Sequence, residues 1–127
     1  MWLSFNNAFL SVVHKDCADD ELLVRARRKG DIERVFPGAK VRKTPHNDYL
    51  FRAVVKRERV ATALAKLVGE LNYGNFKNSV HEDDLHRAYA RVWHVMGEVQ
   101  PGGPYAGETR VPAPRQRSLR IPGVMAL

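Results

Sequence analysis

The feature that most restricts this chain is a two-residue alternation that recurs in two separate segments. In residues 22–27, Leu22, Val24 and Ala26 alternate with Leu23, Arg25 and Arg27. In residues 49–56, Tyr49, Phe51, Ala53 and Val55 alternate with Leu50, Arg52, Val54 and Lys56. Successive side chains of a strand point to opposite faces, so each segment predicts a strand with one apolar face and one face that carries cations. An apolar sheet face needs a cover, and two helical patterns can supply it. Residues 57–71 place Val60, Leu64, Leu67, Val68 and Leu71 on one stripe, and residues 82–96 do the same with Leu85, Tyr89, Val92, Trp93 and Met96. Glu82, Asp83 and Asp84 open the second helix, where negative charge suits the helix dipole.

The weaker elements fall between these. Residues 8–15 read as a strand with Leu10 and Val12 on one face and Phe9, Ser11 and Val13 on the other. The polar turn 16–20 then suggests an antiparallel hairpin with residues 22–27. Asp31, after Gly30, is a plausible N-cap for a short helix with Ile32, Val35 and Phe36 on its apolar side, ended by Pro37-Gly38. Residues 40–44 read as a strand, 45–48 as a turn and 72–80 as a loop. The order β-β-α-β-β-α-α contains most of a split β-α-β unit, and the first strand could supply the missing edge. The expectation is an α+β fold: a four-stranded, mostly antiparallel sheet with helices packed on one face, ferredoxin-like or a permutation of it. Residues 1–99 would form the compact domain. Residues 100–127, rich in Pro, Gly and Arg and without a period, would form an irregular basic tail.

Composition narrows the setting. A chain of 127 residues with 44% hydrophobic and 28% charged residues suits one soluble domain. No apolar run approaches the roughly 20 residues that a membrane helix needs, so no membrane partner is expected. Residues 1–15 lack a basic lead-in and are interrupted by Asn6 and Asn7, which argues against a signal peptide. Cys17 is the single cysteine, which leans towards a reducing, cytoplasmic setting. The net charge of +7 favours anionic partners. Part of it lies in the tail, where Arg110, Arg115, Arg117 and Arg120 stand against Glu108 alone.

A group of residues is distinctive as a set: Trp2-Leu3-Ser4, residues 9–13, residues 23–27, Gly30-Asp31, Thr44-Pro45, Asp48-Tyr49, Phe51-Arg52, Tyr73, Asn75-Phe76-Lys77 and residues 86–93. With these, residues 1–96 resemble a small, largely uncharacterised bacterial protein family. The resemblance implies one compact bacterial domain and carries over no activity.

The first candidate site follows from the alternation. If Leu22, Val24 and Ala26 face the helices, Arg25 and Arg27 face the other way, with Arg52 beside them and Lys40 and Arg42 adding to the same side. Such a face could hold anions through charge-assisted hydrogen bonds; the plain alternative is a solvated face paired with carboxylates such as Asp48. Tyr49 and Phe51 are assigned to the core, so the aromatic platforms of single-strand nucleic-acid binding are weakly supplied. The loop holding Tyr73, Asn75, Phe76 and Lys77 is a second candidate, with a structural connector as its alternative. Tyr89 and Trp93 on the last helix are core residues or an interface, and the tail is an unselected extension or an arm for an acidic partner.

His81 and His86 flank Asp83 and Asp84 without the spacing of a helical zinc pair. Cys17 near His14 shows no means of activation. No metal, cofactor or catalytic residue is therefore expected. The leading expectation is a small bacterial non-enzymatic binding module that engages an acidic protein or nucleic acid through its sheet arginines and tail. The alternatives are a small enzyme or ligand-binding protein for an anionic small molecule, using Arg25, Arg27, Arg52, Asn75 and Lys77, and a homodimeric structural or inhibitor protein.

Overall fold

The computed structural model describes residues 1–102; the expected tail arginines lie outside them. The chain divides into two units, Met1–Arg91 and a second beginning at Val92. Five strands of the first unit form one sheet: β1 (Trp2–Ser4), β2 (Phe9–Val13), β3 (Glu21–Ala26), β4 (Arg42–Lys43) and β5 (Phe51–Lys56). Their spatial order is β1-β2-β3-β5-β4, and every neighbouring pair is antiparallel. The expected four strands are thus corrected to five. The Phe5 amide donates to the Ala8 carbonyl at 2.8 Å, closing a tight reversal through Asn6 and Asn7 that folds residues 2–4 back along β2. A three-residue strand is too short to announce itself by alternation.

The helices are α1 (Asp31–Val35), α2 (Arg57–Gly69) and α3 (Asp83–Val99), with a 3-10 turn at Lys77–Ser79. Leu10, Val12, Val24, Ala26, Ala53 and Val55 from the sheet meet Ile32, Phe36 and Val60 from the α1 and α2 segments in the main core. Fully burying a side chain of the Val, Leu or Phe class contributes about 1.5–3 kcal/mol, so this layer is the main source of stability. The first half of α3 makes a smaller cluster, in which Val80, Leu85 and Tyr89 pack with Phe9 and Phe76. In the second unit, the α3 side chains Val92, Trp93, Val95, Met96 and Val99 are exposed.

Asp31 is not the N-cap of α1. Gly30 takes that position with a left-handed φ of 90°, a conformation that glycine adopts without strain. Asp31 is instead a buried junction, with 1% of its side chain exposed. Its Oδ1 accepts from Arg28 Nη2 at 2.9 Å and Arg34 Nη1 at 2.7 Å. Its Oδ2 accepts from the Phe9 amide at 3.1 Å and Arg28 Nε at 3.2 Å. Arg28 Nη1 also donates to Glu82 Oε2 at 2.7 Å, just ahead of α3. Asp31, and after it Glu82, hold the Arg28 guanidinium above its ordinary pKa.

The Tyr89 hydroxyl lies 2.9 Å from both the Phe5 and Ala8 carbonyl oxygens. Burial, reinforced by the Asp31 charge, pushes its phenol above the ordinary value.

Asp31→Ala should lower stability by about 3 kcal/mol, because it leaves two guanidinium groups and a buried amide without their acceptor. Arg34→Ala should cost about 1 kcal/mol or less, since that arginine is largely solvated; urea unfolding of both variants checks the difference. A neutral Tyr89 stabilises the fold fully below the pH at which an unfolded tyrosine ionises, about 10, and this contribution fades as pH rises further. Between about pH 9 and about pH 11 the wild type should therefore lose more stability than Tyr89→Phe.

Candidate functional site

The face of the sheet turned away from α1 and α2 is built by register. β2 pairs with β3 through Ser11 and Arg25, β3 with β5 through Arg25 and Arg52, and β4 with β5 through Arg42 and Arg52. β1 extends the row, since Trp2 pairs with Ser11. Directly opposed residues share a face with Cβ atoms about 4.5–5.5 Å apart. The sheet therefore carries a continuous row, Trp2-Ser11-Arg25-Arg52-Arg42, with three arginines on neighbouring strands.

Arg27, just beyond β3, joins this row through an aromatic ring. The guanidinium carbons of Arg25 and Arg27 lie 4.6 Å and 4.5 Å from the centroid of Tyr49. Tyr49 is only 4% exposed. It precedes β5 and does not share the core face of Phe51, Ala53 and Val55, as the alternation had suggested. Ending the strand at Phe51 releases Tyr49 from that parity, and cation–π contacts settle where its ring goes. Arg27 Nη1 also donates to the Asp48 carbonyl at 3.0 Å.

Like charges directly opposed across strands are unfavourable, and little here offsets them. Arg25 Nη2 donates to Ser11 Oγ at 2.8 Å. Arg52, with 9% of its side chain exposed, meets Asp48 Oδ1 at 3.2 Å. The same Asp48 oxygen accepts from the Tyr49 amide at 2.9 Å. Arg42 has no ion-pair partner among the described residues. The Nε–H groups of Arg25 and Arg52 are buried and make no hydrogen bond, and an unsatisfied buried donor costs about 1–3 kcal/mol. Of these four guanidinium groups, Arg52 alone meets a carboxylate among the described residues.

The other sequence candidates lie elsewhere. Asn75 Oδ1 accepts from the Asn78 amide at 3.2 Å, and His86 Nδ1 lies 2.8 Å from the Lys77 carbonyl oxygen. Both residues belong to the connector into α3, whereas the arginines are positioned by the sheet. Tyr89 is buried, with its ring against Phe9 and Phe76; Trp93 lies in the second unit. A cleft of about 390 Å³ opens beside Ser4, Asn6, Arg34, Leu67, Leu71 and Tyr73, and none of Arg25, Arg27, Arg42, Arg52, Asn75 or Lys77 lines it. No cluster of metal-ligating side chains occurs among the described residues, and none of their helices is long and apolar enough to cross a membrane.

Sequence reasoning missed Trp2, Ser11 and Tyr49 as parts of the row, whereas Asp48 was expected as a carboxylate partner of this face and meets Arg52. Trp2 and Ser11 become visible only once the β1–β2 register is known. Tyr49 lies ahead of β5, where parity carries no information.

Fold and site together define an α+β domain whose sheet carries a row of arginines running from the half-buried Arg25 through the buried Arg52 to the exposed Arg42. Comparison with protein-family models, curated proteins and solved structures finds no match.

If the row is strained by its own charge, Arg52→Met should leave stability unchanged or raise it by up to about 1 kcal/mol, since it removes a buried cation while keeping the volume. The wild type should gain stability as salt screens the row, and Arg52→Met should gain less. Thermal unfolding across a sodium chloride series checks both.

Proposed function

We propose that this protein is a small non-enzymatic binding module that engages an acidic protein through the Trp2-Ser11-Arg25-Arg52-Arg42 face. One observation carries this reading: three arginines stand on adjacent strands with a single carboxylate among them. Surfaces under no demand to bind pair or disperse such charges, because opposed cations and unbonded guanidinium nitrogens both lower stability. An acidic partner supplies the missing acceptors.

The chemistry of the row favours a protein over a nucleic acid. Trp and Arg are the side chains that most often anchor protein interfaces, and Trp2 stands 74% exposed at the end of the row. Single-strand nucleic-acid sites stack successive bases on several aromatic faces. Here the Tyr49 ring is occupied by Arg25 and Arg27, which leaves Trp2 as the one exposed ring of the row.

The scaffold reading that accompanies this is a permuted ferredoxin-like one. From β3 onward the chain runs β-α-β-β-α with β5 lying between β3 and β4, and β2 occupies the place beside β3 that a last strand would take. The same reading adds the charge of the tail arginines Arg110, Arg115, Arg117 and Arg120 to the attraction for an acidic partner, in a cytoplasmic bacterial setting.

The test is a pulldown from lysate, with and without nuclease, using the full chain, a chain ended after Gln100, and Arg42→Glu. Arg42 is exposed, so its substitution leaves the core intact. A stoichiometric protein partner should survive nuclease, be lost with Arg42→Glu and weaken as salt rises. Nuclease-sensitive material would assign the face to nucleic acid instead, and retention of the partner by Arg42→Glu would overturn the reading.

A further inference from the structure

Within this face, Arg25 and Arg52 stand apart from the other cations. They oppose each other directly across β3 and β5. Each spends one terminal nitrogen on a neighbour, Ser11 or Asp48, and each keeps a buried Nε–H with no acceptor. Arg27 flanks the pair across the shared Tyr49 ring, and Arg42 follows Arg52 on β4. Two unbonded donors on adjacent strands call for one acceptor that reaches both.

The structure already contains a carboxylate at this place, and its behaviour is informative. Asp48 contacts Arg52 through one oxygen at 3.2 Å, remains 64% exposed, and leaves both Nε–H groups unbonded. A carboxylate is a planar monoanion with two oxygens, and Asp48 spends the oxygen that meets Arg52 on the Tyr49 amide as well. A phosphate monoester is tetrahedral, carries a charge near −2 at neutral pH and offers three terminal oxygens. It can accept from two guanidinium groups at once, and arginine forks match its geometry.

We propose that Arg25 and Arg52 form a phosphate-monoester subsite, with Arg27 and Arg42 supplying further charge, so that the acidic partner presents a phosphorylated side chain there. This rests on the binding reading above. Asp48 is then the internal competitor: an incoming phosphate displaces its carboxylate from Arg52, and the two arginine side chains turn so that their Nε–H donors, buried in the unbound protein, meet the phosphate oxygens.

The test uses the full-length protein and three probes, phenyl phosphate, inorganic phosphate and acetate, followed through the Nε–H resonances of Arg25 and Arg52 by NMR. Phenyl phosphate and inorganic phosphate should both shift the two resonances saturably. They should half-saturate at concentrations about tenfold or more below acetate, the ratio expected for one added charge-assisted hydrogen bond. Asp48→Asn keeps an acceptor for the Tyr49 amide and removes the competing charge, so it should tighten phosphate binding several-fold. Arg25→Lys keeps the charge and removes the fork, and should abolish the preference over acetate, with circular dichroism confirming the fold of each variant.

Acetate binding as well as phosphate, no response at the two Nε–H groups, or no gain from Asp48→Asn would overturn the proposal. Phosphate binding by inorganic phosphate alone, with phenyl phosphate excluded, would do the same, because a phosphorylated side chain is an ester. If the phosphate probes fail while an acidic protein is still captured through Arg42, the subsite falls and the binding reading stands. If the probes bind and no protein is captured, the reverse holds.

Discussion

The Asp31 carboxylate is the point on which the arrangement of the first unit turns. It is buried, so its charge requires partners, and it draws them from four parts of the chain: the start of β2, the residues after β3, α1 itself and, through Arg28, the approach to α3. Each partner alone makes an ordinary hydrogen bond. Together they fix the angle at which α1 leaves the sheet and the position of the loop carrying Asn6 and Asn7. A buried carboxylate is tolerated only when all of these bonds are made, which gives the junction an all-or-none character that apolar packing lacks. Tyr89 works beside it, closing the Phe5 and Ala8 carbonyls from the α3 side.

The two faces of the sheet solve opposite problems. The face under α1 and α2 is apolar and closes on itself around Val24, Ala26, Ala53 and Val55. The other face inherits whatever the intervening positions hold, and at Arg25, Arg52 and Arg42 they hold cations in direct opposition. The stability of the apolar layer is what allows such a row to persist. A domain with a thinner core could not absorb opposed charges and unbonded guanidinium donors, each worth on the order of a kilocalorie. The surplus of donors over acceptors on this face is the physical basis for reading it as a binding surface.

Much of this is readable without a structure, and the reason is parity. The alternation in residues 22–27 and 51–56 separates core from arginines, and helical spacing from Val60 to Leu67 identifies α2. Arg25 and Arg52 follow from the same pattern, and Arg42 from its alternation with Val41. What parity does not carry is pairing and turns. The β1–β2 hairpin depends on a reversal at Asn6-Asn7 and a strand of three residues. Tyr49 lies one step outside the strand and takes its place from two guanidinium groups, and Asp31 resembles a helix cap until the left-handed Gly30 takes that role. Ser11 is a small polar residue in an apolar run, and only the cross-strand register reveals that it faces Arg25.

The sheet ends on one side at β4, a strand of two residues, both exposed, followed closely by Pro45. A neighbouring chain that tried to polymerise along this border would find room for a single step of pairing, with Arg42 and Lys43 repelling its own counterparts. Short, charged borders of this kind stop sheets from growing into fibrils. The border of the sheet that carries Arg42 and Lys43 is thereby both short and charged, which disfavours strand addition at that edge.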